Sequence, residues 1–416
     1  MRPGSGDAGT GDSEAEGQSH KATVPLRARA ALAARAALLL GLVTGCEPAP
    51  PGPPPPITPA PVVSDKPDPR VMPPDPARDV AGDPGALPAL LDHPEGVPFP
   101  LPDPLPASCH PVAITDPPAP TPGPAPLTFW VGGTGDGPAR FTYPRALVAS
   151  REDGTVVVVD KTGRLQRFDH DGRVRRIVHT PAIHQGKPTG LGLAPDGSLY
   201  VADTHYARVL VYGPDLSLVR VFGAPGRAAG RFMFVSSSKP GPDGLLWTTD
   251  YGDEVARVQG WTLQGEPRLA SGAFGVEKGE LRRPMSLAFG PGEVYVCDAV
   301  NHRIAVFGLD GGWRRALGGS GRGPGELDFP YDVVVDELGR LWVSEFGNQR
   351  VQVLDPRDGR SLGLWGEPGR EPPGLTRPWG VALGRGERVW LLDSQGDRLY
   401  ALDRAAILTP TAARGD

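Results

Sequence analysis

From Arg140 to Asp403 the apolar residues fall in short runs separated by turn residues, and the runs recur in one order. Leu199-Tyr200-Val201-Ala202-Asp203, Val294-Tyr295-Val296-Cys297-Asp298 and Leu341-Trp342-Val343-Ser344-Glu345 are of one kind: an apolar strand closed by an acid. Aligned on that acid, the chain gives Asp160, Asp203, Asp250, Asp298, Glu345 and Asp393, spaced by 43, 47, 48, 47 and 48 residues. A proline stands 14–16 residues before five of them: Pro144, Pro188, Pro284, Pro330 and Pro378. Between proline and acid lie another apolar run and a turn such as Pro195-Asp196-Gly197 or Glu337-Leu338-Gly339. A third run follows, as in Ala207–Tyr212 and Arg303–Phe307, and a fourth ends in glycine, as in Leu218–Gly223. Four short strands joined by tight turns, repeated at a period of roughly 40–50 residues, predict one propeller blade per repeat. Six repeats predict six blades.

The last repeat has three strands ending at Asp403 and no glycine-terminated fourth. A run of that kind stands at the other end, Leu127-Thr128-Phe129-Trp130-Val131-Gly132 followed by Gly133-Thr134-Gly135, and it is similar to Leu362–Gly366. This N-terminal strand is expected to complete the sixth blade, so that no sheet edge is left open.

The repeats resemble those of the NHL family, whose blades read proline, strand, Asp-Gly, strand-Asp, Asn-x-Arg, apolar strand, Phe-Gly. Pro284–Gly318 and Pro330–Gly366 match best, with Asn301-His302-Arg303 and Asn348-Gln349-Arg350 in the Asn-x-Arg position. The resemblance runs from Leu127 to Asp403. The third repeat departs most: Asp250 is followed by Tyr251-Gly252-Asp253-Glu254, and Val235 stands where the proline is expected. The implied fold class is an all-β, six-bladed NHL-type propeller, its last blade closed by the N-terminal strand and preceded by a disordered proline-rich linker. Such a match specifies the fold and says little about function.

Composition divides the rest of the chain. Of 51 prolines, 29 lie between Glu47 and Leu127, where missing amide donors prevent ladders and helices and favour an extended linker. The expected organisation is a signal region over 1–45, a lipidated, disordered linker over 46–126, the propeller over 127–405 and a tail over 406–416. Arg27, Arg29 and Arg35 precede the apolar run Ala36–Val43, a pattern of secretory signals. Val43-Thr44-Gly45-Cys46 resembles the bacterial lipobox, which implies lipidation of Cys46. Val24 is a candidate true start, giving a signal of 22 residues. Glu47, rather than aspartate, follows the cysteine and directs the expectation to the outer membrane. From Thr128 onward the basic and acidic side chains number 35 and 34, so the folded part lacks the charge of a nucleic-acid binder. Three cysteines form neither a disulfide framework nor a CxxC pair.

Two sets of residues are candidates for a role. Asp203 with Arg208, Asp298 with Arg303, Glu345 with Arg350 and Asp393 with Arg398 share an i, i+5 spacing across a turn. A guanidinium there reaches a carboxylate and the turn backbone, and recurrence in several blades marks these pairs as structural. The residue after each blade's proline position begins the innermost strand, at one mouth of the central channel: Arg145, Thr189, Ser236, Met285, Tyr331 and Trp379. Trp, Tyr and Arg are enriched at recognition hot spots. The family's amidating lyases carry metal-binding histidines after that proline. This chain has none, and His170, His179, His184, His205 and His302 are scattered. The family's ubiquitin ligases add a zinc-binding RING domain, for which there is no Cys/His cluster.

The expected function is therefore a membrane-anchored, non-enzymatic recognition surface for an envelope protein, peptide or glycan. No metal, cofactor or nucleic acid is expected, and the propeller is expected to be monomeric. The alternative is a calcium-dependent hydrolase of lactonase or esterase type, with Asp332 as an inward carboxylate in the channel.

Overall fold

A computed structural model describes residues 109, 111–115, 117–184, 186–252 and 254–408. Cys46, the segment expected to be a signal region, most of the proline-rich segment and residues 409–416 lie outside the described residues.

Six antiparallel sheets follow one another along the chain. Their innermost strands are Pro144–Ala149, Gly190–Leu193, Phe234–Pro240, Pro284–Gly290, Pro330–Val335 and Pro378–Leu383, which number blades 1 to 6. In each blade the next strand ends in the aligned acid, as in Leu199–Asp203 and Leu341–Glu345. Alternate residues of these buried strands face opposite neighbours. Leu341 and Val343 enter the core between blades 4 and 5, while Trp342 enters the core between blades 5 and 6. The hydrophobic cores thus lie between blades, one for each junction.

The last junction closes the ring. Val131, Phe141, Leu147, Val156 and Phe168 pack with Ala382, Trp390, Leu392 and Leu399. Leu127–Gly132 is the fourth strand of blade 6, antiparallel to Arg398–Asp403, with Leu127 opposite Leu402 and Val131 opposite Leu399. The N-terminal strand closes the sixth blade, as its sequence indicated.

The chain joins the propeller ahead of Leu127. Thr121–Pro122 pairs outside Leu127–Gly132, and the Val112 amide donates to the Ile177 carbonyl at 2.9 Å on the outer strand of blade 1. These contacts fall within the segment expected to be linker as far as residue 126. Pro122 can sit there because an outermost strand needs no donor on its free side, and a proline on that edge discourages further pairing.

A register shift marks the start of five inner strands, between Pro144 and Ala146, Val235 and Ser237, Pro284 and Leu287, Pro330 and Asp332, and Pro378 and Gly380. A bulge re-aims the side chain within it, and here Arg145, Ser236, Met285, Tyr331 and Trp379 are turned to the channel. Blade 2 uses glycine in its inner strand for another reason. A Cβ on Gly190 would stand 2.3 Å from the Ser236 carbonyl oxygen, and one on Gly192 would stand 2.0 Å from that of Ser238.

Candidate functional site

The acid that ends each second strand is buried, with Asp160, Asp203, Asp250, Asp298 and Glu345 at 0% exposure and Asp393 at 1%. In blade 4, Arg303 Nε donates to Asp298 at 2.8 Å, and its other nitrogens donate to the carbonyls of Val276, Glu277 and Glu280. Asp298 also accepts from the Arg282 amide at 2.6 Å and from Asn301 Nδ2 at 2.8 Å. Blade 5 repeats the arrangement with Arg350, Glu345 and the carbonyls of Arg322, Gly323 and Glu326. The pair clasps the loop from the preceding blade. Unpaired, either charge would be costly at this depth.

Two clasps escape the i, i+5 rule. Arg164 reaches Asp160 at 2.7 Å and Arg257 reaches Asp250 at 2.9 Å, with the carbonyls of Arg140 and Arg231 completing them. Their turns are shorter and longer than the standard, so only the acid was legible. The expected Asp393–Arg398 pair does not form. Arg398 lies over the Trp130 ring at 4.7 Å and bonds the Arg370 carbonyl and Glu371, while Asp393 accepts from the Thr376 and Arg377 amides at 2.9 and 2.7 Å. The closing strand supplies the aromatic ring that draws Arg398 away.

Blade 2 keeps its pair in a different setting. Arg208 Nε donates to Asp203 at 2.7 Å and the guanidinium covers the Tyr206 ring at 4.5 Å, but no loop carbonyl accepts from it among the described residues. Burial pushes the Asp203 and Asp250 carboxyls up to about 6, ahead of the lowering by their arginines.

The structure brings Arg145, Thr189, Ser236, Met285, Tyr331 and Trp379 together around one mouth of the channel. They close it. Tyr331 is 1% exposed and Trp379 5%, their rings meet edge to face at 4.9 Å, and Phe346 stacks on Tyr331 at 4.5 Å. Arg145 lies over the Trp379 ring at 4.5 Å. Ser236 Oγ donates to the Pro284 carbonyl at 2.6 Å, and Thr189 shares a hydrogen bond with Thr204. The space left inside is about 20 Å³, enough for one water.

Asp332 points into the channel, as expected of it. One oxygen accepts from Ser286 Oγ at 2.6 Å, Lys239 Nζ at 3.0 Å and its neighbour's amide at 2.9 Å, and the other accepts from the Val381 amide at 3.1 Å. The Lys239–Asp332 bridge partitions the channel. Among the described residues no group of three or more His, Cys, Asp or Glu side chains is arranged to hold a metal ion.

Beyond the bridge the channel widens to a funnel of about 250 Å³, lined by Leu147–Ala149, Leu193, Pro240, Phe289, Val333–Val335 and Val381–Leu383, with Lys239 and Arg151 as its cations. Sequence reasoning passed over this end. Its signal was there in the apolar C-terminal halves of the inner strands, which fit a core strand equally well.

Residues 327–354 match the NHL repeat model, covering the clasp acid, its arginine and the first three strands of blade 5. The protein is an NHL-repeat six-bladed β-propeller. Over 77 residues the chain is 36% identical to mouse NHL repeat-containing protein 3, covering 18% of this chain and 22% of that one. Over 135 residues it is 31% identical to the human protein of that name, covering 29% and 38%. The matched stretch therefore spans well under half the length of these relatives. Among solved structures, a structural genomics protein from Bacteroides thetaiotaomicron superimposes with a TM-score of 0.50 at 18% identity, covering 66% of this chain and 73% of that one. That likeness concerns the fold.

Two histidines of this NHL propeller serve its blade junctions, while His170 and His184 are exposed. His302 Nδ1 accepts from the Phe329 amide at 3.3 Å and lies 3.0 Å from Asp328, while His205 accepts from the Lys187 amide at 3.1 Å. Cys297 is buried in the core between blades 4 and 5, where burial holds its thiol well above the usual range.

Proposed function

We propose that this chain is a recognition module of the bacterial envelope. In this reading Cys46 carries lipid at the outer membrane, the proline-rich segment holds the propeller away from it, and the propeller binds an envelope protein, peptide or glycan without chemistry of its own. The observation that carries the binding site is the contrast between the two channel ends: about 20 Å³ behind the Arg145–Trp379–Tyr331 plug against about 250 Å³ in the apolar funnel. The funnel replaces the plugged mouth as the candidate surface. No observation favours the calcium-dependent hydrolase, because Asp332 is already engaged by four donors.

A photo-reactive amino acid placed at Leu193 or Val335, in the funnel, tests the reading in the cells that make the protein. Val219, 66% exposed on an outer strand, is the control. A discrete adduct from the funnel positions and none from Val219 is expected. The same adducts from all three, or none from the funnel, would remove the funnel from consideration.

A further inference from the structure

The charge around the funnel indicates what enters it. The turns that follow the inner strands form its rim. On blades 4 to 6 the rim carboxylates are neutralised: Glu293 by Arg315, Asp336 by Arg340, Glu337 by Arg151 and Arg404, and Glu387 by Arg404. On blades 1 to 3 they are not. Glu152, Asp153, Asp196 and Asp243 are exposed, and none makes an ion pair among the described residues. Asp153 has the Arg167 guanidinium as an electrostatic neighbour, Arg385 stands beside Gly154 at the end of this arc, and Arg151 is turned away from it by Glu337 at 2.6 Å and the Val335 carbonyl at 3.0 Å.

We infer that the funnel receives one bulky apolar side chain of a peptide segment whose flanking residues are cationic, an inference that rests on the funnel being the recognition site. The volume is below the ~300 Å³ at which drug-sized ligand pockets begin, so a single side chain is the fitting guest. Its walls offer apolar contact, and the floor is closed by an ammonium already bridged to Asp332. A cation driven to that floor would meet Lys239 and lose water without gaining a partner. At the rim it meets four carboxylates that remain in water and attract it over about 8–10 Å at moderate salt. Apolar centre and cationic flanks are thus selected by different parts of one surface.

The test uses the purified propeller-bearing chain and dye-labelled five-residue peptides, with a central phenylalanine flanked by paired lysines, serines or glutamates, and a lysine-flanked serine. The lysine-flanked phenylalanine should bind at least about tenfold tighter than the other three, and the advantage should shrink as salt rises. Glu152→Gln with Asp196→Asn, both exposed, should remove most of the advantage of lysine over serine flanks with unchanged melting. Ala149→Trp should fill the funnel and abolish binding. Equal or tighter binding of the glutamate-flanked peptide, or indifference to these carboxylate changes, overturns the inference. If the photo-adducts at Leu193 and Val335 persist while no lysine-flanked peptide binds, the cationic partner is refuted and the recognition site stands. Loss of those adducts as well refutes both.

Discussion

Asp298 shows how a buried charge is made tolerable: two nitrogens of neighbouring side chains and one amide surround it, and its arginine spends the remaining donors on three loop carbonyls. Removing the arginine leaves the carboxylate and the loop without partners, so Arg303→Ala should cost about 3–5 kcal/mol in urea unfolding. Arg208→Ala should cost less, because among the described residues that guanidinium donates to no loop carbonyl, and Asp203 is already disposed to take up a proton. The same group gives a pH signature. Asp203 and Asp250 have carboxyls raised from 3.8 to about 6 in the folded chain, so the folded state binds more protons than the unfolded chain between those values. Their contribution to stability therefore falls as pH rises from about 4 to 6 and is flat above. Melting followed from pH 7 to 5 should show a stabilising term on acidification that Asp203→Asn reduces. A melting temperature that falls as steeply in wild type as in the variant would contradict it.

At the scale of elements, the decisive piece is the strand Leu127–Gly132. Leu127 and Val131 are 2% and 3% exposed, and burying each side chain is worth about 1.5–3 kcal/mol. Deleting residues 127–131 removes both and leaves Arg398–Asp403 as an open edge, so the melting temperature should drop sharply and the chain should become prone to association. Unchanged melting would mean that the ring does not depend on this closure. The strand was readable beforehand because its run of apolar and aromatic residues ending in glycine copies the outer strands elsewhere. The bulge at the start of five of the inner strands was not readable. It depends on the pairing with the next strand, yet it decides that Tyr331 and Trp379 face the channel and seal it.

For the molecule as a whole, the near balance of charge in the folded part conceals an uneven distribution, with free carboxylates gathered on one arc of one rim. The address belongs to this scale as well. A lipid-anchored module requires acylation at Cys46, so cells fed an alkyne-tagged fatty acid should label the chain, and Cys46→Ala should abolish the label and release the protein from membranes. Label persisting on the alanine variant would rule out that anchor.

The sequence by itself determined what repetition can encode: four strands per unit, six units, the acid of every clasp, and the strand that closes the ring. Each is local, or a copy of something local, and therefore visible as a period. The tertiary structure alone decided which end of the channel is open. Around the ring, side chains separated by some forty-odd residues at each step meet across the axis, and no period records whether they interdigitate or stand apart. At one end the bulged Arg145, Tyr331 and Trp379 are large enough to interlock and exclude all but about 20 Å³. At the other, valines, leucines and alanine on the diverging strands are too short to meet, and the space they leave is the funnel.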